Sequence, residues 1–96
     1  MVIRVVCKAK LKPKVDHEEY LKIAREVVSV SRKEKGCIMY TLHEDIHDPS
    51  TLTTIEEWVD VQAIDEHNKN ENVWKYVQEL RKFRECTEIN IYKEVN

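Results

Sequence analysis

The sequence predicts an α+β fold of ferredoxin-like type: a four-stranded antiparallel sheet in the order βαββααβ, with helices on one face. Three observations predict it. Residues 2–12 and 37–44 alternate side chains at a period of two, the mark of strands. Residues 16–36 place apolar side chains at helical spacing between an acidic cap and a glycine. Two further helical stretches then lead to a last strand-like run, residues 86–95. Ninety-six residues suffice for one domain, 1–96, with one small core.

In the first strand Ile3, Val5, Cys7, Ala9 and Leu11 form an apolar face. Arg4, Lys8, Lys10 and Lys12 lie opposite, interrupted by Val2 and Val6, and a solvated or carboxylate-paired face is expected there rather than an anion site. Lys12-Pro13 stops the strand. Asp16 caps the first helix, with Glu19 in a capping-box arrangement. Tyr20, Ile23, Ala24, Val27, Val28 and Ser31 are its buried stripe, and Gly36 is expected as a left-handed terminator.

The second strand, Cys37 to Glu44, is expected to place Ile38, Tyr40 and Leu42 on one face and Cys37, Met39, Thr41 and His43 on the other. A turn at residues 47–50 leads into a third strand from Thr51 to Trp58, so these two strands form a hairpin. Asp60 caps a short helix reaching about His67. A third helix runs from about Glu71 to Arg84, and the last strand carries Ile89, Ile91 and Tyr92. One sheet face is left bare by this arrangement, and packing two sheets together would cover it, so a homodimer is expected.

Composition excludes several classes. Sixteen basic against eighteen acidic residues give no electrostatic case for nucleic acid or an anionic membrane surface. No run approaches the ~20 apolar residues of a membrane span, and the N-terminus alternates too early for a secretory signal. Three scattered cysteines suggest free thiols and a reducing, cytoplasmic setting. One glycine cannot build a phosphate-cradling or dinucleotide loop, so no nicotinamide or flavin dinucleotide is expected in the usual loop.

His43-Glu44-Asp45-Ile46-His47 matches the zinc-protease pattern, but that pattern needs a helix. Continuing a strand at ~3.3 Å per residue, the two histidines stand roughly 13 Å apart, too far to share one ion. No metal is expected.

The stretches KAKLKPKVDHEEYLKIAREVV, KGCIMYTLHED, DPSTL and IEEWVDVQAIDEHNKN together resemble the antibiotic biosynthesis monooxygenase domain family, most specifically in Glu57-Trp58, Ala63-Ile64 and His67. The resemblance covers nearly the whole chain. It implies homodimers whose sheets pack into an α+β barrel. It also implies oxidation of hydroquinones or polyketide phenols by dioxygen, with neither metal nor flavin. Haem-degrading relatives place an asparagine on the first strand, where Cys7 stands here, and a haem-ligating histidine is missing from VWKYVQELRKF, so haem is not expected.

Such chemistry needs a pocket that binds an aromatic ring, takes a proton and excludes water. His67 is the general base in reach of neutral pH, or merely a helix C-terminal residue. Trp58 is an aromatic wall or a core anchor. Tyr40 and Trp74 would complete the wall, or belong to the core. Glu56 or Asn68 would orient the hydroxyl. Alternation puts Glu56 beside Trp58 and sends Glu57 to the other face, toward the first strand's lysines. The competing readings are a non-enzymatic ligand-binding or stress-response dimer and an isomerase-type barrel.

Overall fold

The computed structural model describes residues 1–96. Its elements are β1 (Ile3–Leu11), α1 (His17–Arg32), β2 (Cys37–Asp45), β3 (Asp48–Trp58), α2 (Val61–Lys69), α3 (Glu71–Arg81) and β4 (Arg84–Lys93), the expected βαββααβ order. All strand pairs are antiparallel, in the order β2-β3-β1-β4. No helix is long and apolar enough to cross a membrane.

Each helix starts on the side chain of a short polar residue. Asp16 accepts from the Glu19 amide at 3.1 Å, Asp60 from the Ala63 amide at 2.8 Å, and Asn70 from the Asn72 amide at 3.0 Å. Asn70 both ends α2 and begins α3, so the expected break between them is a single residue. Helix α1 buries Tyr20, Ala24, Val27, Val28 and Ser31 against the sheet and α3, as its spacing predicts. Ile3, Val5, Leu11, Leu52, Trp58, Ile64, Val73 and Leu80 complete the core. Full burial of a side chain of this kind contributes roughly 1.5–3 kcal/mol.

Four local expectations are corrected. The glycine does not terminate α1: the helix ends at Arg32 on a right-handed Lys33 cap, and Gly36 has no positive φ. It is required for space instead. A Cβ on Gly36 would lie 2.3 Å from the Ala63 Cβ and 3.3 Å from Val59 Cγ2. The residue that does enter the left-handed region is Lys14, at φ 67°, in the turn after β1.

The face assignment in β2 fails at its start. The register slips between Cys37 and Met39, so Ile38 is the extra residue and stands 52% exposed. Cys37 pairs with Trp58 and packs against the core, on the same side as Tyr40.

The hairpin turn is tighter and earlier than expected. Asp45 pairs with Asp48, leaving Ile46 and His47 as its tip. Asp48 organises the start of β3, accepting from the Ser50 amide at 3.1 Å, the Ser50 hydroxyl at 2.6 Å and the Thr51 hydroxyl at 2.9 Å. These donors and Lys10 hold its carboxyl well below the usual carboxylate range, with Lys10 the largest influence. Pro49 lies beyond the last β1 pair, Lys10 with Thr51, so its missing N–H removes no bond to β1.

Helix α3 stops at Arg81, and Arg84 opens β4 opposite Leu11. The chain is held there by the Lys12 amide donating to the Phe83 carbonyl at 2.8 Å.

Helices cover one sheet face. On the other, Glu57 pairs with Arg4 at 3.3 Å rather than with a lysine, a partly exposed contact worth about 0–1 kcal/mol. Around it Val6 and Ile55 are half-buried, and Val2 and Tyr92 are exposed.

The Gly36 contact predicts that Gly36→Ala destabilises the chain by ~1–3 kcal/mol through overpacking. Gly36→Ala combined with Ala63→Gly should recover most of the stability lost to that clash. Urea denaturation of the single and double variants checks both.

Candidate functional site

The period of β3 turns Leu52, Thr54, Glu56 and Trp58 toward the helices. Glu56 is the exceptional member, a carboxylate only 5% exposed. Its oxygens are both engaged: Oε1 accepts from Trp58 Nε1 at 2.9 Å, and Oε2 from the Thr54 hydroxyl at 2.9 Å. Burial pushes its carboxyl above the ordinary range. The two donors, the neighbouring His67 and the Tyr40 hydroxyl oppose that rise without cancelling it.

Tyr40 faces Glu56 across the β2–β3 pair. Its phenol is buried, and burial together with the Glu56 charge raises its pKa far above the usual value. Its ring meets Trp58 edge-on, centroids 6.3 Å apart.

His67 arrives from the last turn of α2. Helix α2 lies close over the entry to β2 because Gly36 admits Ala63, and His67 stands one turn beyond Ala63 on the same helix face. Its ring lies 4.6 Å from Trp58 and 5.8 Å from Tyr40. Nδ1 sits 2.6 Å from Glu34 Oε1, and both side chains are largely buried, at 11% and 14% exposure. Glu34 follows α1 in a tight connection: its amide donates to the Ser31 carbonyl at 3.0 Å, and its own carbonyl accepts from Cys37 at 3.1 Å. With Nδ1 held by a carboxylate, Nε2 is the ring nitrogen without a partner in the chain.

A cavity of about 500 Å³ lies between the sheet and the helices. Tyr40, Glu56, His67, Asn68 and Trp74 all line it, with Asn68 at an exposed rim position. Trp58 does not. It is 0% exposed and stands behind the lining, so the sequence-based reading of it as a ring-binding wall gives way to a supporting role: it donates to Glu56 and packs on His67. Trp74 is half-buried, with the Arg81 guanidinium 4.5 Å over its ring.

Other lining residues escaped the sequence reading. Thr54 shares the alternation of Glu56 and could have been found by it. Cys7 contributes a thiol whose pKa burial pushes up. Arg84 comes from the start of β4, half-buried, its Nε donating to the Tyr20 hydroxyl at 3.1 Å. Glu34 carried no signal at all, as an acidic residue within the basic run Arg32 to Lys35, 33 positions from its histidine.

The His43–His47 motif lies on β2 and its hairpin tip, not on a helix, and both imidazoles are exposed. Elsewhere no three His, Cys, Asp or Glu side chains gather as a cation site. The cavity thus offers an apolar chamber with a carboxylate-held imidazole, a buried carboxyl and a phenol at one end. That set can accept a proton from a bound hydroxyl and shield the resulting anion from water.

The model of the family described as antibiotic biosynthesis monooxygenase matches residues 2–79. The chain is 32% identical over 74 residues to the Bacillus subtilis (strain 168) protein named Putative monooxygenase YcnE, covering 76% of this chain and 78% of that one. A conserved protein from Methanosarcina mazei Go1 superimposes with a TM-score of 0.93 at 31% identity, over 99% of this chain and 94% of the other. A crystal structure of an antibiotic biosynthesis monooxygenase superimposes with a TM-score of 0.91 at 27% identity, over 98% and 99% of the two chains. Matched in sequence over most of its length and in fold throughout, this chain belongs to the antibiotic biosynthesis monooxygenase family.

Proposed function

We propose that this protein is a cofactor-independent monooxygenase that oxidises a small aromatic or hydroquinone with dioxygen. The observation that carries the reading is His67 at the cavity wall, its Nδ1 held 2.6 Å from the half-buried Glu34 carboxylate. Family membership supports the reaction class.

The chemistry requires little of the protein. His67 Nε2 takes a proton from the ring hydroxyl, and Glu34 stabilises the imidazolium. The phenolate is electron-rich enough to reduce dioxygen itself. One oxygen atom enters the ring, the other leaves as water, and all four electrons come from the substrate. Tyr40 and Asn68 orient the hydroxyls, and Trp74 flanks the ring. Trp58 acts behind them, fixing Glu56 and His67. The partly solvent-facing apolar patch around Val6 and Ile55 supports a homodimer, expected to give twice the chain mass by light scattering at micromolar concentration, with Ile55→Lys shifting it toward monomer.

A second reading is favoured by one observation: both Glu56 oxygens are already hydrogen-bonded within the chain. A carboxylate so occupied suits a ligand-binding barrel without turnover. Oxygen uptake with a panel of hydroquinones separates the two. On the first reading, substrates consume oxygen and His67→Ala lowers kcat by ~10²–10⁴. Glu34→Gln should cost less, roughly tenfold, because it keeps an acceptor beside the imidazole and removes only the charge. No oxygen uptake with any member, alongside saturable binding, overturns the first reading in favour of the second.

The raised carboxyl of Glu56 makes a further expectation about stability. Its native state holds the proton more tightly than the unfolded chain does, so folding stability falls as pH rises from the unfolded value of ~4.3 through the raised native pKa. Glu56→Gln cannot ionise and retains an acceptor for Trp58. Its melting temperature relative to the native chain should therefore climb as pH is raised from 4 to 7, as scanning calorimetry across that range would show.

A further inference from the structure

The cavity has a second end whose charge the proposed proton chemistry leaves unused. Arg84 lines it half-buried, and Arg81 lines it near the rim. Neither arginine is in an ion pair, although acidic residues outnumber basic ones in the chain. Arg84 spends one N–H on the Tyr20 hydroxyl at 3.1 Å, with its guanidinium 6.0 Å from that ring, and Arg81 lies over Trp74. The guanidinium nitrogens at the tip of Arg84 have no partner within the chain. A half-buried guanidinium with its fork free has the planar, bidentate geometry that matches a carboxylate. Its field reaches into the chamber, where it opposes the rise that burial imposes on the Cys7 thiol.

Register measures how far apart the two ends stand. Glu56 pairs with Val5 on one side of β1, and Arg84 pairs with Leu11 on the other. Six positions along a strand make ~20 Å between main chains, which the inward-reaching side chains shorten. Between them the floor is apolar, formed by Val5, Cys7 and Ala9 with Val27 above. A chamber of about 500 Å³, within the range that houses multi-ring or substituted ligands, is more than a bare ring needs.

We propose that Arg84, assisted by Arg81, is an anion-binding end of the cavity, and that the ligand is a phenol or hydroquinone bearing a carboxylate on a short apolar linker. The carboxylate pairs with the Arg84 fork, the linker lies over Cys7 and Ala9, and the hydroxylated ring reaches His67 and Glu56. That the ligand is also a substrate rests on the monooxygenase reading; that it is an anion does not.

The test uses a hydroquinone-propanoic acid and its primary amide, which share ring and shape and differ in charge. Binding is read anaerobically by calorimetry and oxygen uptake separately in air. The acid should bind at least tenfold more tightly than the amide, with the difference shrinking as salt is added. Arg84→Gln should abolish that preference while leaving amide affinity within about twofold, and Arg84→Lys should restore part of it. Arg81→Gln, at an exposed position, should reduce the preference two- to threefold and guards against poor folding of the Arg84 variants. Equal binding of acid and amide by the native protein, or an equal loss of both in Arg84→Gln, overturns the proposal. If the acid binds in an Arg84-dependent way and neither it nor any member of the hydroquinone panel consumes oxygen, the anion end stands and the oxidation reading falls. If acid and amide are oxidised with the same KM, the oxidation reading stands and the anion end falls. If neither ligand binds, the anion end falls, and the hydroquinone panel decides the oxidation reading.

Discussion

The approach of α2 to the start of β2 governs the rest of the site. Ala63 rests against Gly36 where no side chain would fit, and the Val59 amide donates to the Gly36 carbonyl at 2.9 Å. A helix held that close carries His67 to Glu34 one turn later. Were α2 displaced by even one methyl group's width, a 2.6 Å contact would lengthen beyond useful hydrogen-bonding range. A packing constraint on the chain's one glycine thereby becomes an electrostatic constraint on its best candidate base.

Glu56 illustrates the opposite balance. A carboxylate buried among Trp58, Tyr40 and His67 is expensive to ionise, yet two short donors and the imidazole lie within its reach. The Trp58 indole N–H would otherwise be an unpaired donor at 0% exposure, so each group satisfies the other. Trp58 is thus explained without any ligand contact: its ring fills the core and buttresses His67, while its nitrogen fixes a carboxylate on the cavity wall. This is why removing the indole would disturb two groups of the site at once.

Much of this was legible in the sequence, and the parts that were not share a cause. Strand alternation and helical spacing gave the element order, and period two alone placed Glu56 with Trp58 and apart from Glu57. Those are properties of consecutive residues. The misreadings arose where one inserted residue or one distant neighbour decides. Ile38 breaks the alternation of β2 by bulging, which nothing in CIMYTL announces. Gly36 carries the signature of a helix terminator, and only the position of Ala63 reveals its steric use. Glu34 and Arg84 belong to the site through contacts 33 and 64 positions away in sequence, distances over which periodicity says nothing.

The distribution of charge around the cavity argues that it was shaped for a ligand with two unlike ends. A chamber meant only for an apolar ring would gain from a neutral wall, since each uncompensated ionisable group lowers the net benefit of burial. Here acidic and imidazole groups collect at the β3–α2 end, while unpaired guanidinium groups stand where α3 hands over to β4. The apolar floor of β1 keeps these sets from neutralising one another, so each retains its demand for a partner. A ligand meeting both demands would be held lengthwise and in one direction. On the proposed chemistry, orientation is what the chain's own side chains supply, because a proton passed to His67 has to lie against one nitrogen of one ring.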